Sequence, residues 1–285
     1  MIYHNKLKLL ICTQVADKND PVLGFFMRWI EEFKKHCEVE VVSLKDLGSG
    51  GKAARAWRLL KLVWGGEYDA VFVHMNPEYL VAAGWLWKLR GKKTALWYTH
   101  KSVDLKLRVA ERFADVILTA SKESFRLRSS KVRVMGHGID TDFFTPDPGV
   151  VRGNAILSVG RLMKSKRHDL AIGVAAREHR ELRMAGDGPE RKNLEALAKE
   201  RGAVVRFLGG INQTQLRDEY RKALYLIHTS ETGSLDKVVL EALACGTPVH
   251  TNDPALKHLE HATPAYVREH HSLERLIPAI LKELS

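Results

Sequence analysis

Short, continuously apolar runs alternate with longer amphipathic stretches along almost the whole chain. "KLKLLICTQ", "EVEVVSL", "AVFVHM", "KTALWYTH", "VILTAS" and "KVRVMG" read as strands. Between the first five lie "VLGFFMRWIEEFKKH", "AARAWRLLKLVW", "EYLVAAGWLWKLRG" and "LKLRVAERFA", which carry helical spacing. The strand runs are apolar on both faces, as expected of a parallel sheet covered on both sides. After the Pro/Gly-broken loop "FTPDPGVVRG" the pattern restarts with "AILSVG", "ELRMAG", "VVRFLGG", "YLIHTS" and "PVHTN", separated by helices. One of those helices is predicted from Pro189, one in "DKVVLEALAC" stopped by Gly246, and a last one in "LERLIPAILKEL". The expectation is an α/β fold of two Rossmann-like domains, residues 1–147 and 148–285. Their sheets would face each other across a cleft, with ligands beyond the carboxyl ends of the strands.

Composition narrows this picture. A chain of 285 residues, 45% hydrophobic and 28% charged, is expected to pack rather than remain disordered. No run approaches the roughly 18 apolar residues of a membrane span. The opening "MIYHNKLKLLICTQ" holds one short lysine-flanked apolar run and no small-residue cleavage site, so a cytoplasmic protein is expected. Cys12, Cys37 and Cys245 are too few and too far apart for a disulfide framework or a zinc site; they read as buried thiols.

The net charge of +11 has a location: residues 51–133 carry 17 lysines and arginines against 7 acids. All six tryptophans lie within the first 97 residues. In "GKAARAWRLLKLVW", Lys52, Arg55, Arg58 and Lys61 recur every third residue with no acid between them, opposite an apolar sector. One reading is a helix resting on an anionic bilayer, with Trp57 and Trp64 at the interface. The other is an ordinary domain helix with a basic solvent face. Trp85 and Trp87 fit core or interdomain packing. Nothing in the basic half has the pattern of an RNA-binding module, and no nucleic-acid partner is expected.

The turns after the strands of the second half concentrate small and charged residues. Arg161 follows "AILSVG" directly and Lys166 opens the next helix, while "AGDGPE" and "FLGGINQ" are glycine turns at two further strand ends. "HTSETGSLDKVVLEA" sets Gly233, Ser234, Asp236 and Lys237 before a helix, with Glu241 one turn inside it. A helix start flanked by Arg161 and Lys166 could hold a diphosphate, and Glu241 could accept from a ribose diol. Helix capping and surface solvation explain each feature separately; their recurrence at consecutive strand ends favours binding. Lys237 opposes the helix dipole, which is tolerable in front of a bound anion.

"GHGIDTDFFTP", "VGRLMKSKRHDL", "MAGDGPERKNLEALA", "VRFLGG" and "VVLEALACGTPV" resemble, in order, the retaining family 4 glycosyltransferases of the GT-B fold. The resemblance implies a transferase that moves a sugar from a nucleotide-diphosphate donor, UDP or GDP, to a saccharide or lipid-linked hydroxyl acceptor. It implies no metal or other cofactor. Arg161 and Lys166 match the basic pair that grips the diphosphate, and Glu241 matches the ribose-binding glutamate. Gly24 in "DPVLGFF" resembles the glycine that lets backbone approach the donor phosphate, and His100 in "WYTHKS" the histidine beside the reacting sugar. "DTD" at Asp140–Asp142 falls in a hinge motif and reads as structural.

The chain departs from that pattern twice. Eight positions before Glu241, where the family has its first glutamate, stands Gly233; Glu231 and Asp236 are the nearest acids and neither is in register. Three alternatives follow: backbone N–H groups and Asp236 contact the donor sugar, the donor is recognised unusually, or activity is lost and a silent nucleotide-sugar-binding protein remains. The second departure is the end: after "LKELS" there is no further helix to cross back to the first domain, so a compact carboxyl terminus is expected.

Overall fold

The computed structural model describes residues 6–18, 20, 23–230 and 233–285. Two compact units result: residues 1–138 with 273–285, and residues 139–272.

The first unit is a six-stranded sheet in the order β2-β1-β3-β4-β5-β6, every neighbouring pair parallel. Its strands are β1 (Lys8–Thr13), β2 (Glu38–Ser43), β3 (Ala70–His74), β4 (Lys93–Trp97), β5 (Val116–Thr119) and β6 (Val132–Val134). One face is covered by α2 (Lys52–Gly65), α3 (Glu78–Leu89) and α4 (Leu105–Phe113), whose Leu59, Val63, Leu80, Trp87 and Leu107 pack with Leu10, Val71, Val73 and Leu96. On the other lies α1 (Phe26–His36), where Trp29 meets Trp97 at 4.9 Å and Phe33 meets Phe72 at 5.2 Å between ring centroids. The alternation of Val71 and Phe72 between the two cores is the period of two of a strand buried on both sides.

The second unit is a five-stranded parallel sheet in the order β11-β10-β7-β8-β9. It comprises β7 (Ile156–Val159), α5 (His168–Glu178), β8 (Leu182–Ala185), α6 (Arg191–Glu200), β9 (Val205–Gly209), α7 (Gln213–Lys222), β10 (Tyr225–His228), α8 (Lys237–Ala244), β11 (Val249–Thr251) and α9 (Pro264–His271). The chain runs outward from β7 through β8 and β9, then returns to the other side of β7 with β10. The carboxyl ends of β7 and β10 therefore flank a topological switch point, where open α/β sheets bind ligands.

The α/β architecture of two Rossmann-like units is as expected; the division is not. The boundary falls at residue 138/139 instead of 147/148, and the last helix, α10 (Leu273–Leu284), belongs to the first unit. Its stripe Leu273, Leu276, Ile277, Ile280 and Leu284 is fully buried. It packs along α1 and against β4, and Arg275 donates to the Met135 carbonyl at 3.2 Å. The terminal helix is thus itself the segment that returns to the first unit. The motif "DTD" is structural: Asp140 accepts from the Phe143 amide at 3.0 Å and Asp142 pairs with Arg268 at 2.8 Å. The helix expected from Pro189 begins at Arg191, and α9, with Thr263 capping and Pro264 in its first turn, was not anticipated. The three cysteines are buried free thiols, with Cys37 pushed up to about 11 and Cys245 to about 12, burial being the main cause.

Because all six tryptophans lie in the first unit, their emission reports that unit's unfolding. Ile277→Ala should destabilise the protein by about 3 kcal/mol, as expected for truncating a fully buried isoleucine. The midpoint of the tryptophan transition in urea should fall accordingly. An unmoved tryptophan transition would show that the last helix does not close this unit.

Candidate functional site

The loops leaving β7 and β10 meet at the switch point. From β7 come Gly160, Arg161 and, after a short turn, Lys166; from β10 come His228, Thr229 and the stretch to Asp236 at the start of α8. The Thr229 hydroxyl donates to the Lys166 carbonyl at 2.9 Å, and the Lys166 ammonium lies 2.5 Å from Asp236 Oδ2. His228, 4% exposed on the last residue of β10, directs Nε2 at the same oxygen at 3.3 Å. Its Nδ1 is 3.0 Å from the Thr251 hydroxyl, which in turn accepts from the Asp253 amide at 3.1 Å. Asp253 continues the chain: Oδ2 accepts from the Gly233 amide at 2.7 Å and Oδ1 from the Ala255 amide at 3.0 Å.

Burial raises the Asp236 carboxyl, but the His228 hydrogen bond and the Lys166 charge outweigh it and hold the group far below the usual carboxylate range. An ionised carboxylate only accepts hydrogen bonds. The His228 proton therefore sits on Nε2, and in the neutral ring Nδ1 accepts from Thr251. The donors thus run in one direction from the Asp253 amide through Thr251 and His228 to Asp236, which also accepts from Lys166 on its other side. Asp236 is the N-cap residue of α8 yet makes no side-chain bond to its first turn, its carboxylate being committed to Lys166 and His228.

A second polar group lies under the β7 loop. His168, 3% exposed at the start of α5, shares a 2.9 Å hydrogen bond with the Ser158 hydroxyl through Nδ1. Its Nε2 sits beside Gly160 and makes no hydrogen bond of normal geometry among the described residues. Burial lowers its pKa from 6.5 to about 4, so the ring is neutral at physiological pH.

The expected residues distribute as follows. Lys166 and Asp236 come together, but as an ion pair, so one of the two expected cations is already paired. Arg161 is exposed, and its guanidinium makes no ion pair among the described residues. Lys237 lies 3.1 Å from Glu241 Oε1, a helical i,i+4 pair, which offsets its unfavourable position at a helix start. Glu241 is only 2% exposed, and its Oε2 accepts from the Tyr220 hydroxyl at 3.1 Å. Each Glu241 oxygen thus already has a partner, Lys237 for Oε1 and Tyr220 for Oε2. Gly233 does not offer a free N–H; that amide is held by Asp253. Its φ of 55° is left-handed, which is why glycine occupies the position and a glutamate would be strained there. Ser234 lies in the bend before α8, and Glu231 falls outside the described residues.

Gly24 and His100 stand on the first unit. Gly24 closes a turn: its amide donates to the Asp20 carbonyl at 2.9 Å, and a Cβ there would lie 2.5 Å from that oxygen. His100 is exposed three residues after β4; its Nδ1 accepts from the Ser102 amide at 3.1 Å, so Nε2 carries the proton of the neutral ring. The sequence reading missed His228, Thr251, Asp253 and His168. The available signal was position: His228 and Thr251 are the last residues of adjacent strands, β10 and β11.

Residues 146–276, almost the whole second unit, match the family model of the glycosyl transferases group 1. The second unit is thus similar to that family. Over 98% of its length the chain shares the fold of Anabaena HepE, solved in complex with UDP, at a TM-score of 0.71 and 16% identity, covering 99% of that protein. It is 35% identical over 145 residues to the D-inositol 3-phosphate glycosyltransferase of Kribbella flavida, covering 42% of this chain and 34% of that one. It is 30% identical over 129 residues to the phosphatidylinositol N-acetylglucosaminyltransferase gpi3 subunit of Schizosaccharomyces pombe, covering 42% of this chain and 28% of the relative. The chain thus spans about a third of the length of these curated relatives.

Two measurements check this geometry. The unfolded chain binds a proton at His168 near pH 6.5 and the folded chain only near about pH 4. Stability should therefore fall as pH drops through that window, by at most about 3 kcal/mol. His168→Gln should remove this part of the slope in melts followed by circular dichroism; an unchanged slope would show that His168 is not the group responsible. Gly233→Glu, which restores the family's acid, should destabilise the fold by about 1 kcal/mol through its positive φ. Gly233→Asn should be milder, and equal melting temperatures for Gly, Asn and Glu would contradict the left-handed turn.

Proposed function

We propose that the chain transfers a sugar from a nucleoside-diphosphate sugar, UDP or GDP, to a hydroxyl of a saccharide or lipid-linked acceptor. The reaction proceeds with retention, by attack on the face the diphosphate leaves, and without a metal or other cofactor. The enzyme works in the cytoplasm, where it can rest on the inner face of a membrane. The observation that carries this reading is the switch-point arrangement of the second unit: Arg161 and Lys166 on one strand-end loop, with Lys166 tied to the neighbouring loop through Asp236.

Cleavage of a sugar–diphosphate bond leaves its electron pair on a phosphate oxygen, so its barrier falls where fixed positive charge meets that oxygen. The unpaired Arg161 guanidinium offers bidentate donors to the diphosphate. Lys166, held in place by Asp236, adds a pre-positioned ammonium whose charge that carboxylate partly offsets. Asp236 also has lone pairs beyond its two partners with which to accept from sugar hydroxyls. His100, with its proton on Nε2, donates to the transferring sugar. UDP in HepE supports a uracil donor, and the name of the Schizosaccharomyces relative supports a lipid acceptor.

A second reading, a nucleotide-sugar binder without turnover, is motivated by Gly233, whose turn leaves no acid in the family's position. Hydrolysis of a donor sugar by the purified protein separates the two.

UDP, GDP and ADP should be screened by thermal shift against wild type and Arg161→Ala. A nucleotide at a hundredfold its Kd stabilises the folded state by about 2.7 kcal/mol, which raises the melting temperature by several degrees. One nucleotide should stabilise wild type and lose its effect in the variant. An equal shift in both would remove Arg161 from the diphosphate site.

A further inference from the structure

The outer face of α2, α3 and α4 carries apolar bulk that the fold leaves uncovered. α2 packs beside α3 and α3 beside α4, and their inward residues share one core. Outward, α2 presents Trp57, Lys61 and Trp64, with the two tryptophans 58% and 70% exposed. α3 presents Val81, Trp85, Lys88 and Leu89, with Trp85 48% and Leu89 74% exposed. Leu105 continues the surface on α4, followed by Arg108 and Arg112. Trp85, expected to pack inside, is therefore at the surface, whereas Trp87 is buried and donates to the Tyr68 hydroxyl at 2.9 Å.

The structure also redistributes the charges of α2. Arg58 donates to the Leu47 and Ser49 carbonyls at 2.6 and 2.9 Å and Arg55 to the Gly48 carbonyl at 3.3 Å, so both guanidinium groups hold the loop before the helix. Lys61 lies over the Trp57 ring at 3.9 Å, which joins cation and indole in one outward-facing unit. α2 contains no acid, and the one acid of α3, the exposed Glu78 three residues before Val81, is paired with Lys106 of α4 at 2.7 Å.

Indole rings favour the headgroup boundary, where the ring is buried and its N–H stays wet, and ammonium groups beside them meet anionic headgroups. Single-stranded nucleic acid would instead need aromatics aligned along a basic groove, whereas these sit on the convex outer sides of two helices. We propose that the Trp57–Lys61–Trp64 face of α2 and the Val81–Trp85–Leu89 face of α3 form one docking surface for an anionic lipid bilayer. This rests on the membrane association proposed above and names the residues that carry it.

The test is co-sedimentation of the full chain with vesicles of phosphatidylcholine alone or enriched in phosphatidylglycerol, at low and high salt. Wild type should pellet with the anionic vesicles, more weakly at high salt, and its tryptophan emission should shift to the blue. Trp57→Ala/Trp64→Ala/Trp85→Ala should lower vesicle affinity more than tenfold, and Lys61→Ala or Lys88→Ala about fivefold each. The triple variant should keep its far-UV spectrum and its thermal response to nucleotide, so failure of the donor site is read separately. Wild type that ignores both vesicles would overturn the membrane association itself. Undiminished pelleting of the triple variant would overturn this surface. The proposal also falls if the same tryptophans instead govern self-association in sedimentation velocity, or retention on single-stranded nucleic acid.

Discussion

A single carboxylate holds the second unit's strand ends in register with each other. Asp236 is half-buried, stays ionised, and is shared by Lys166 from the loop after β7 and His228 from the end of β10. Removing either partner would leave a half-buried charge uncompensated, which is costly, whereas the intact pair contributes modestly to stability. What the pair supplies is geometry. It places an ammonium group at the switch point of the sheet and fixes the tautomer of His228, and through Thr251 and Asp253 it reaches the amide of Gly233. The turn before α8 is therefore pinned at both ends, by Asp253 at Gly233 and by Lys166 and His228 at Asp236.

The site consequently differs from a pair of free cations waiting for phosphate. Lys166 is pre-positioned but offset by its neighbour, Lys237 is offset by Glu241, and Arg161 makes no ion pair among the described residues. His168 adds a neutral ring beneath the same loop.

Several features were legible from particular residues. The runs "AVFVH" and "YLIH" are apolar on both faces, and both became fully buried parallel strands. Arg161 and Lys166 were identified because short βα loops keep a residue's sequence distance from its strand close to its spatial distance. The β10 loop was legible for the same reason. Helix α9 was missed although "TP" at Thr263–Pro264 is an ordinary helix start, because its one buried side chain, Val267, gives almost no periodic signal. The last helix was legible as an element and misplaced as a member: the stripe Leu273, Leu276, Ile277, Ile280 and Leu284 demands a core but does not say which sheet provides it. The outward tryptophans show the same ambiguity, since Trp85 and Trp87 are two residues apart and lie on opposite sides of one helix.

By itself, the sequence determined the local order of strands and helices, the two arrays they form, the basic first half, and the strand-end turns where charge and glycine accumulate. Each is written in spacing over fewer than about 20 residues, the range over which backbone geometry ties pattern to position. Only the tertiary structure decided that α10 closes the first unit, that Lys166 is paired, that Glu241 is buried, and that His228, Thr251 and Asp253 link the turn to its neighbour. Those partners lie 70, 23 and 20 residues apart for Lys166–Asp236, His228–Thr251 and Gly233–Asp253. Side chains so far apart in the chain meet only once sheet order and helix packing have brought their loops together, and no local pattern records which loops those are.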